Sequence, residues 1–186
     1  MSQSLLVFLA NGFEEIEVVV PVDLRRRGGI EVVTASITEK KEVMGAHGIL
    51  FQADALLSKL VVEAFDAVYL PGGSGGVEQL LADTRIAPIL RQTLQRGALV
   101  AAICAAPRLL ADANLLEGRH VTSYPSLRRD IEKKVKDFRY SEERVVVDEN
   151  LVTSRGPGTA AELAFELLKM MTGSDRADEV RKGSLF

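Results

Sequence analysis

The chain has 186 residues and a formal net charge of -3, with 47% hydrophobic and 26% charged residues. These values are typical of one soluble globular domain spanning residues 1–186. The charge provides no positive field for nucleic acid or an anionic membrane. The single cysteine excludes an internal disulfide, so we expect a reducing, cytoplasmic location.

No membrane segment is predicted. The apolar stretch near the amino terminus ends before Glu14, Glu15 and Glu17. It is too short for a signal peptide or a membrane span.

Strands and helices alternate along the chain. Strands are predicted at Leu5–Leu9, Ile30–Ala35, Ala67–Leu70, Ala98–Ile103 and His120–Ser123, with a short extra strand at His47–Phe51 and a hairpin of Val145–Val147 with Leu151–Thr153. Helices are predicted at Glu14–Arg27, at Ile86–Gln95, after Pro107, at Leu127–Val135 and at Thr159–Met171. This alternation is typical of a largely parallel sheet covered by helices on both faces.

Three local features refine the helices. Pro21 is expected to kink the first helix. The arginines at 25–27 are interpreted as complementing the helix dipole, with Gly28 and Gly29 closing the helix. Thr159 and Glu162 are predicted to form a capping box at the last long helix.

Cys104 lies where the fourth strand passes directly into a helix that has Pro107 in its first turn. Free amides and the helix dipole at such a point favour thiolate over thiol. A lone cysteine is often a small buried hydrophobe instead. The strand-to-helix turn, a recurrent place for nucleophiles, favours a functional reading.

Two other strand ends are expected on the same rim of the sheet as Cys104, because ligands of open parallel sheets bind beyond the carboxyl ends of the strands. The segment containing Gly72 and Gly73 either forms an oxyanion pocket or is a plain turn. Glu17 is either a desolvated acid with a raised pKa that shuttles protons, or a solvent-exposed residue.

Neither His47 nor His120 is placed beside Cys104 by the sequence, so no cysteine–histidine dyad is indicated. No cluster of histidine, cysteine and carboxylate indicates a metal. We therefore expect no cofactor.

Four motifs together resemble the ThiJ/PfpI superfamily, within it the branch of the parkinsonism-associated protein deglycase and its bacterial relatives. They are Gly12–Glu17, Leu70–Gly73, Ala101–Pro107 and Thr153–Thr159. The resemblance implies a flavodoxin-like three-layer α/β sandwich that forms a homodimer, with Cys104 as a reactive, oxidation-prone nucleophile at a strained elbow. It implies that Glu17 hydrogen-bonds the sulfur, and that the amides of Gly73 and Ala105 form an oxyanion pocket.

The resemblance also implies an activity: members are described as cofactor-independent glyoxalases, as deglycases acting on adducts of methylglyoxal and glyoxal, and as oxidative-stress chaperones. Many members carry a histidine before the proline that is Pro125 here, whereas this chain has Tyr124, which could donate a hydrogen bond to substrate. His47 aligns where relatives often place an arginine at the dimer interface.

The leading hypothesis is a cysteine-dependent enzyme acting on a small dicarbonyl or a glycated protein, with Cys104 and Glu17 as catalytic residues. Gly73, Ala105 and Tyr124 would bind the substrate. A redox-sensing chaperone without turnover is the alternative. Hydrolysis of small amides or peptides is a third reading, which the absent histidine disfavours.

Overall fold

A computed structural model describes residues 3–186, and its centre is a seven-stranded sheet. The eleven strands of these residues are β1 Ser4–Leu9, β2 Glu31–Ser36, β3 Glu42–Met44, β4 Leu50–Gln52, β5 Ala55–Leu56, β6 Ala67–Leu70, β7 Leu99–Ile103, β8 His120–Val121, β9 Arg139–Tyr140, β10 Val145–Asp148 and β11 Leu151–Ser154. The large sheet has the order β10-β11-β7-β6-β1-β2-β5. All its pairs are parallel except β10 with β11, an antiparallel hairpin at one edge.

Helices cover both faces of this sheet. They are α1 Glu15–Arg27, α2 Ser74–Ala82, α3 Ile86–Gln95, α4 Pro107–Asp112, α5 Arg128–Lys134, α6 Ala160–Thr172 and α7 Ser174–Gly183. Successive residues of β1 point to opposite faces: Leu5, Val7 and Leu9 pack in the core beneath α1 and α6, and Leu6 and Phe8 in the core beneath α3 and α4. The fold is a flavodoxin-like α/β sandwich, as expected. Within residues 3–186, no helix combines the length and apolar character needed to cross a bilayer.

The chain order creates a switch point beside β1. From β1 the chain proceeds to β2 and β5 on one side, and then returns to β6 on the other side. Crevices at such switch points, beyond the carboxyl ends of the strands, are where open α/β sheets bind ligands. The segments after β1, β6 and β7 therefore meet at one place.

Most predicted elements are present, but two helices were missed. The first, α2, begins at Ser74 inside the glycine-rich segment, which reads as a turn in sequence. The second, α7, is strongly charged and buries only Ala177 and Val180, so it carries a weak apolar pattern. The predicted strand at His47–Phe51 lies instead at β4, and His47 is in the turn before it.

One interpretation of a helix end is wrong, the capping box at α6. The Thr159 side chain does not cap α6; its hydroxyl bonds Ser154 and Gly156, and Glu162 pairs with Arg144 instead.

Gly28 closes α1 as expected, with its amide donating to the Leu24 carbonyl, and the three arginines lie in the last turn. Arg26 bonds Asp54, Arg27 bonds Asp23, and Arg25 is fully buried. The carbonyls of Arg27 and Gly28 accept hydrogen bonds from Arg176 of α7, a long-range partner that no local pattern reveals.

Candidate active site

Cys104 lies between β7 and α4 in a strained backbone conformation. Its φ is 61°, in the left-handed region that residues with a Cβ rarely adopt. Two backbone hydrogen bonds hold it there: its amide donates to the Ser154 carbonyl at 2.9 Å, and its carbonyl accepts from the Tyr124 amide at 2.9 Å. Strain of this kind persists only where surrounding contacts fix it, and it is common at functional sites.

Glu17 lies beneath the cysteine and is fully buried in the first turns of α1. Its Oε2 accepts a hydrogen bond from the Gly72 amide at 2.7 Å. Its Oε1 has no hydrogen-bond partner of ordinary geometry among residues 3–186. The carboxyl interacts with the Cys104 side chain. Because Oε1 has no other partner, it is the oxygen available to exchange a proton with the sulfur.

Gly72 allows this close approach of acid and thiol. A Cβ built on Gly72 would lie 2.6 Å from Glu17 Oε2 and 2.7 Å from the Cys104 Cβ. Both distances are shorter than any tolerated contact, so only glycine fits between the two side chains.

The amides of Gly73 and Ala105 both interact with the Cys104 sulfur. Gly73 has a φ of 88°, and a Cβ there would lie 2.3 Å from the Gly12 carbonyl oxygen. A glycine is therefore required to turn this amide into the site. Two converging N–H groups can stabilise negative charge on the sulfur or on an oxygen bound near it.

A cavity of about 270 Å³ opens over the sulfur. It is lined by Glu14, Gly73, Ser74, Cys104, Ala105, Tyr124, Ser126 and Leu127. Tyr124 is 46% exposed and forms one wall. Glu17 does not line the cavity, and the structure places it behind the sulfur. Among the alanines near Cys104, only Ala105 lines the cavity, whereas Ala101, Ala102 and Ala106 belong to the core.

Burial controls the protonation of the acid and the thiol. It raises the pKa of Glu17 to about 7, despite the opposing hydrogen bond from Gly72. Burial and the Glu17 carboxylate raise the pKa of Cys104 to about 12, against the amides of Ala105 and Gly73. The expectation that the start of the helix lowers this pKa is wrong in its net direction, because burial and the Glu17 carboxylate outweigh the two amides.

The first proton lost from the pair therefore leaves Glu17 near pH 7, while the thiol keeps its proton. A protonated Glu17 ceases to repel a sulfur anion and becomes a donor to it. The ionised Glu17 can accept the thiol proton when the sulfur attacks, so the pair combines a nucleophile with a proton acceptor near neutral pH.

The raised pKa of Glu17 makes protein stability depend on pH. Between pH 4.5 and about 7 the folded state retains a proton that the unfolded state has lost, so stability falls as pH rises. We expect the free energy of unfolding of wild type, relative to Glu17→Gln, to fall by roughly 3 kcal/mol across this window, at about 1.4 kcal/mol per pKa unit. Urea unfolding at several pH values measures it.

The matched control for this measurement is Asp83→Asn. Arg85 holds the pKa of Asp83 below its usual range, so both states are ionised above pH 5 and the difference should stay flat. A flat difference for Glu17→Gln as well would contradict a raised pKa in the folded protein.

One cluster was not indicated by the sequence. Ligand atoms of Glu14, Glu15 and His47 lie within 4.8 Å of one another. They already have partners: Glu15 accepts from the ring and amide of His47 at 2.7 and 2.6 Å, and Glu14 accepts from the Glu17 amide at 2.8 Å. His47 therefore bonds to Glu15, on the α1 side of the site.

The sequence did not indicate several site residues, among them Ser74, Ser126 and Leu127 of the cavity lining. Glu14 caps α1 and also lines the cavity. Gly156 packs against Tyr124 and the sulfur: a Cβ there would lie 3.3 Å from the Tyr124 ring and 3.9 Å from Cys104 Sγ. The glycine-rich motif around Gly156 was the available signal, but no spacing rule places it beside a cysteine fifty residues earlier.

Comparison with known proteins finds relatives of one family along most of the chain. The model of the DJ-1/PfpI family matches residues 3–170. Protein dj-1beta of Drosophila melanogaster is 39% identical over 186 residues, which cover 100% of this chain and 98% of the relative. The Parkinson disease protein 7 homolog of Danio rerio is 36% identical over 95% of this chain and 93% of the relative.

Solved structures agree with the fold. The crystal structure of Drosophila melanogaster DJ-1beta superposes with a TM-score of 0.94 at 38% identity, covering 100% of this chain and 98% of that one. A structure of oxidized Toxoplasma gondii DJ-1 has a TM-score of 0.91 at 32% identity, covering 100% and 99% of the two chains.

Proposed function

Because this chain belongs to the DJ-1/PfpI family, we propose that it is a cofactor-independent, cysteine-dependent glyoxalase or deglycase. Its substrates would be methylglyoxal, glyoxal or their adducts on proteins. The observation that carries the proposal is one thiol beside two amides at the floor of a small cavity, with one buried acid directly behind the sulfur. The resemblance predicted from the four motifs is confirmed at the level of the family.

The reaction would convert methylglyoxal and one water into lactate without net oxidation. The Cys104 sulfur adds to the aldehyde carbon and forms a hemithioacetal. The hydrogen on that carbon leaves as a proton to Glu17, and the resulting enediol takes a proton at the neighbouring carbon to give a lactoyl thioester. Water then cleaves the thioester and returns the thiol.

The arrangement of donors supports each of these steps. The amides of Gly73 and Ala105 face the sulfur, where an oxygen gains negative charge during addition and during thioester hydrolysis. A pKa of about 7 lets Glu17 accept and return a proton near neutral pH. Tyr124 can donate a hydrogen bond from the cavity wall. A cavity of about 270 Å³ suits a three-carbon dicarbonyl or the end of a modified side chain.

A redox-sensing chaperone without turnover is the second candidate. Two equivalents of peroxide would convert the Cys104 thiol into a sulfinic acid and release two waters. A protonated Glu17 could donate to the sulfinate, and the Toxoplasma gondii relative has been solved in an oxidized form. Hydrolysis of amides or peptides is less favoured, because Tyr124 replaces the histidine that a cysteine–histidine pair needs.

We also propose a homodimer formed through α1 and the β3–β4 hairpin. Large apolar side chains are about half exposed on these two elements: Ile16, Val19, Met44, Ile49 and Leu50. The turn of this hairpin is joined to the segment just before α1 by the backbone bridge between Phe13 and Gly45. Contiguous apolar exposure of this kind is typical of protein interfaces. A second copy would bring His47 near the interface beside the site.

One set of measurements separates the candidates. Wild-type protein is incubated with methylglyoxal without glutathione, and lactate is quantified. Native mass spectrometry before and after mild peroxide reports the assembly and any gain of oxygen. Catalytic lactate formation by a dimer supports the proposed enzyme. An inert protein that gains two oxygen atoms on Cys104 would support the sensor instead, and a monomer would contradict the dimer.

A further inference from the structure

Pro21 interrupts the hydrogen bonding of α1 directly above the catalytic acid. In a helix, each carbonyl accepts from the amide four residues later. The residue four after Glu17 is Pro21, which has no N–H, so the Glu17 carbonyl lacks its helical donor. The helix nevertheless continues unbroken from Glu15 to Arg27.

Tyr69 supplies the missing donor. Its hydroxyl donates to the Glu17 carbonyl oxygen at 2.6 Å, and its side chain is fully buried. A buried carbonyl without a partner is costly, so this bond compensates for the proline. Tyr69 belongs to β6, the strand that leads to Gly72.

Arg25 lies over the face of the Tyr69 ring. Its guanidinium carbon is 4.8 Å from the centre of the Tyr69 ring, and its side chain is fully buried. Its side-chain nitrogens have no hydrogen-bond partner among residues 3–186. The buried charge of Arg25 therefore has the face of the Tyr69 ring as its partner in a cation–π contact. This contact restricts the orientation of the ring.

Glu17 is thus attached at two points to β6 and the segment that directly follows it. Tyr69 binds its backbone carbonyl at 2.6 Å, and the Gly72 amide binds its carboxyl at 2.7 Å. The residues Glu17, Pro21 and Arg25 follow one another at intervals of four on the inner side of α1. We propose that Tyr69, backed by Arg25, is a positioning residue that holds the Glu17 carboxyl against the Cys104 sulfur.

This inference rests on the proposed function only for its effect on turnover, because the position of Glu17 can be read from the thiol alone. Cys104 is the only cysteine, so its alkylation by iodoacetamide reports one site. The Glu17 carboxylate raises the pKa of the thiol, so Glu17→Gln should lower the pH midpoint of alkylation. We expect Tyr69→Phe to lower this midpoint by half a pH unit or more. Arg25→Met should give a smaller shift in that direction.

Pro21→Ala provides the decisive comparison. An alanine at position 21 restores the amide that the Glu17 carbonyl lacks, so Tyr69→Phe combined with Pro21→Ala should return the midpoint toward that of Pro21→Ala alone. The matched control is Tyr140→Phe, which removes a hydroxyl bonded to Ser123 rather than to Glu17 and should leave the midpoint unchanged.

Two results would overturn the positioning role: an unchanged profile in Tyr69→Phe, or a shift that Pro21→Ala does not reverse. If Tyr69→Phe does not fold by itself, recovery of the fold and of the midpoint in the double variant supports the role, and failure to recover overturns it. A protein that is inert toward methylglyoxal would still show these shifts. Failure of the proposed enzyme is therefore distinguishable from failure of this inference.

Discussion

We expect Cys104→Ser to lower kcat/KM for lactate formation from methylglyoxal by at least about 1,000-fold, equivalent to roughly 4 kcal/mol of transition-state stabilisation. Serine keeps the Cβ that the strained backbone at φ 61° already accommodates, so the fold should be retained. A hydroxyl is a far weaker acid than a thiol and a much poorer nucleophile. The covalent adduct would then not form at a useful rate.

A chemical block gives an independent control for that variant. Iodoacetamide can alkylate only one cysteine in this chain, so alkylated wild type should lose activity to the same extent as Cys104→Ser. Thermal unfolding of both proteins checks that the fold is intact. If either protein makes lactate at the wild-type rate, the sulfur takes no part in the reaction and the proposed mechanism is wrong.

Gly72→Ala is expected to damage both activity and stability. The added methyl group would lie 2.6 Å from Glu17 Oε2 and 2.7 Å from the Cys104 Cβ, and both residues are confined by packing. Overpacking of this kind costs about 1–3 kcal/mol of stability. A displacement of about 1 Å between the acid and the sulfur can lower activity by roughly 100-fold.

The matched control is Gly158→Ala, where an added Cβ meets no atom within 4 Å. We expect this variant to keep wild-type activity and to change stability by no more than about 1 kcal/mol. Urea unfolding and the lactate assay measure both variants. Equal behaviour of the two alanine variants would show that the contact between Glu17 and Cys104 at Gly72 is not required.

Local pattern was sufficient for most of the fold. The buried runs in β1, β6 and β7 are short, uncharged and bounded by turn residues, so they identify parallel strands without tertiary information. The sequence pattern did not predict α2 and α7, for different reasons. Ser74, the first residue of α2, has two glycines on each side, which read as a turn. The apolar pattern of α7 is sparse, and this helix packs on α6 through few buried residues.

The site was partly accessible from the same patterns. Because parallel strands end on one rim, Glu17, Gly73 and Cys104 could be expected to converge, and the structure brings them together. The predicted lowering of the Cys104 pKa was wrong, because an argument from the helix dipole contains no measure of how far the thiol is buried. The same limit applies to Arg25, which lies in the last turn of α1 as predicted but is also fully buried against Tyr69.

The sequence by itself determined the family, the order of strands and helices, and the strand ends at which chemistry was to be sought, because these depend on local polarity, turn residues and motifs. Only the tertiary structure decided which oxygen of Glu17 remains free, where the cavity opens, and how Tyr69 replaces the amide that Pro21 lacks. Those features depend on desolvation and on contacts between residues far apart in the chain, and neither quantity is encoded in any short stretch of sequence.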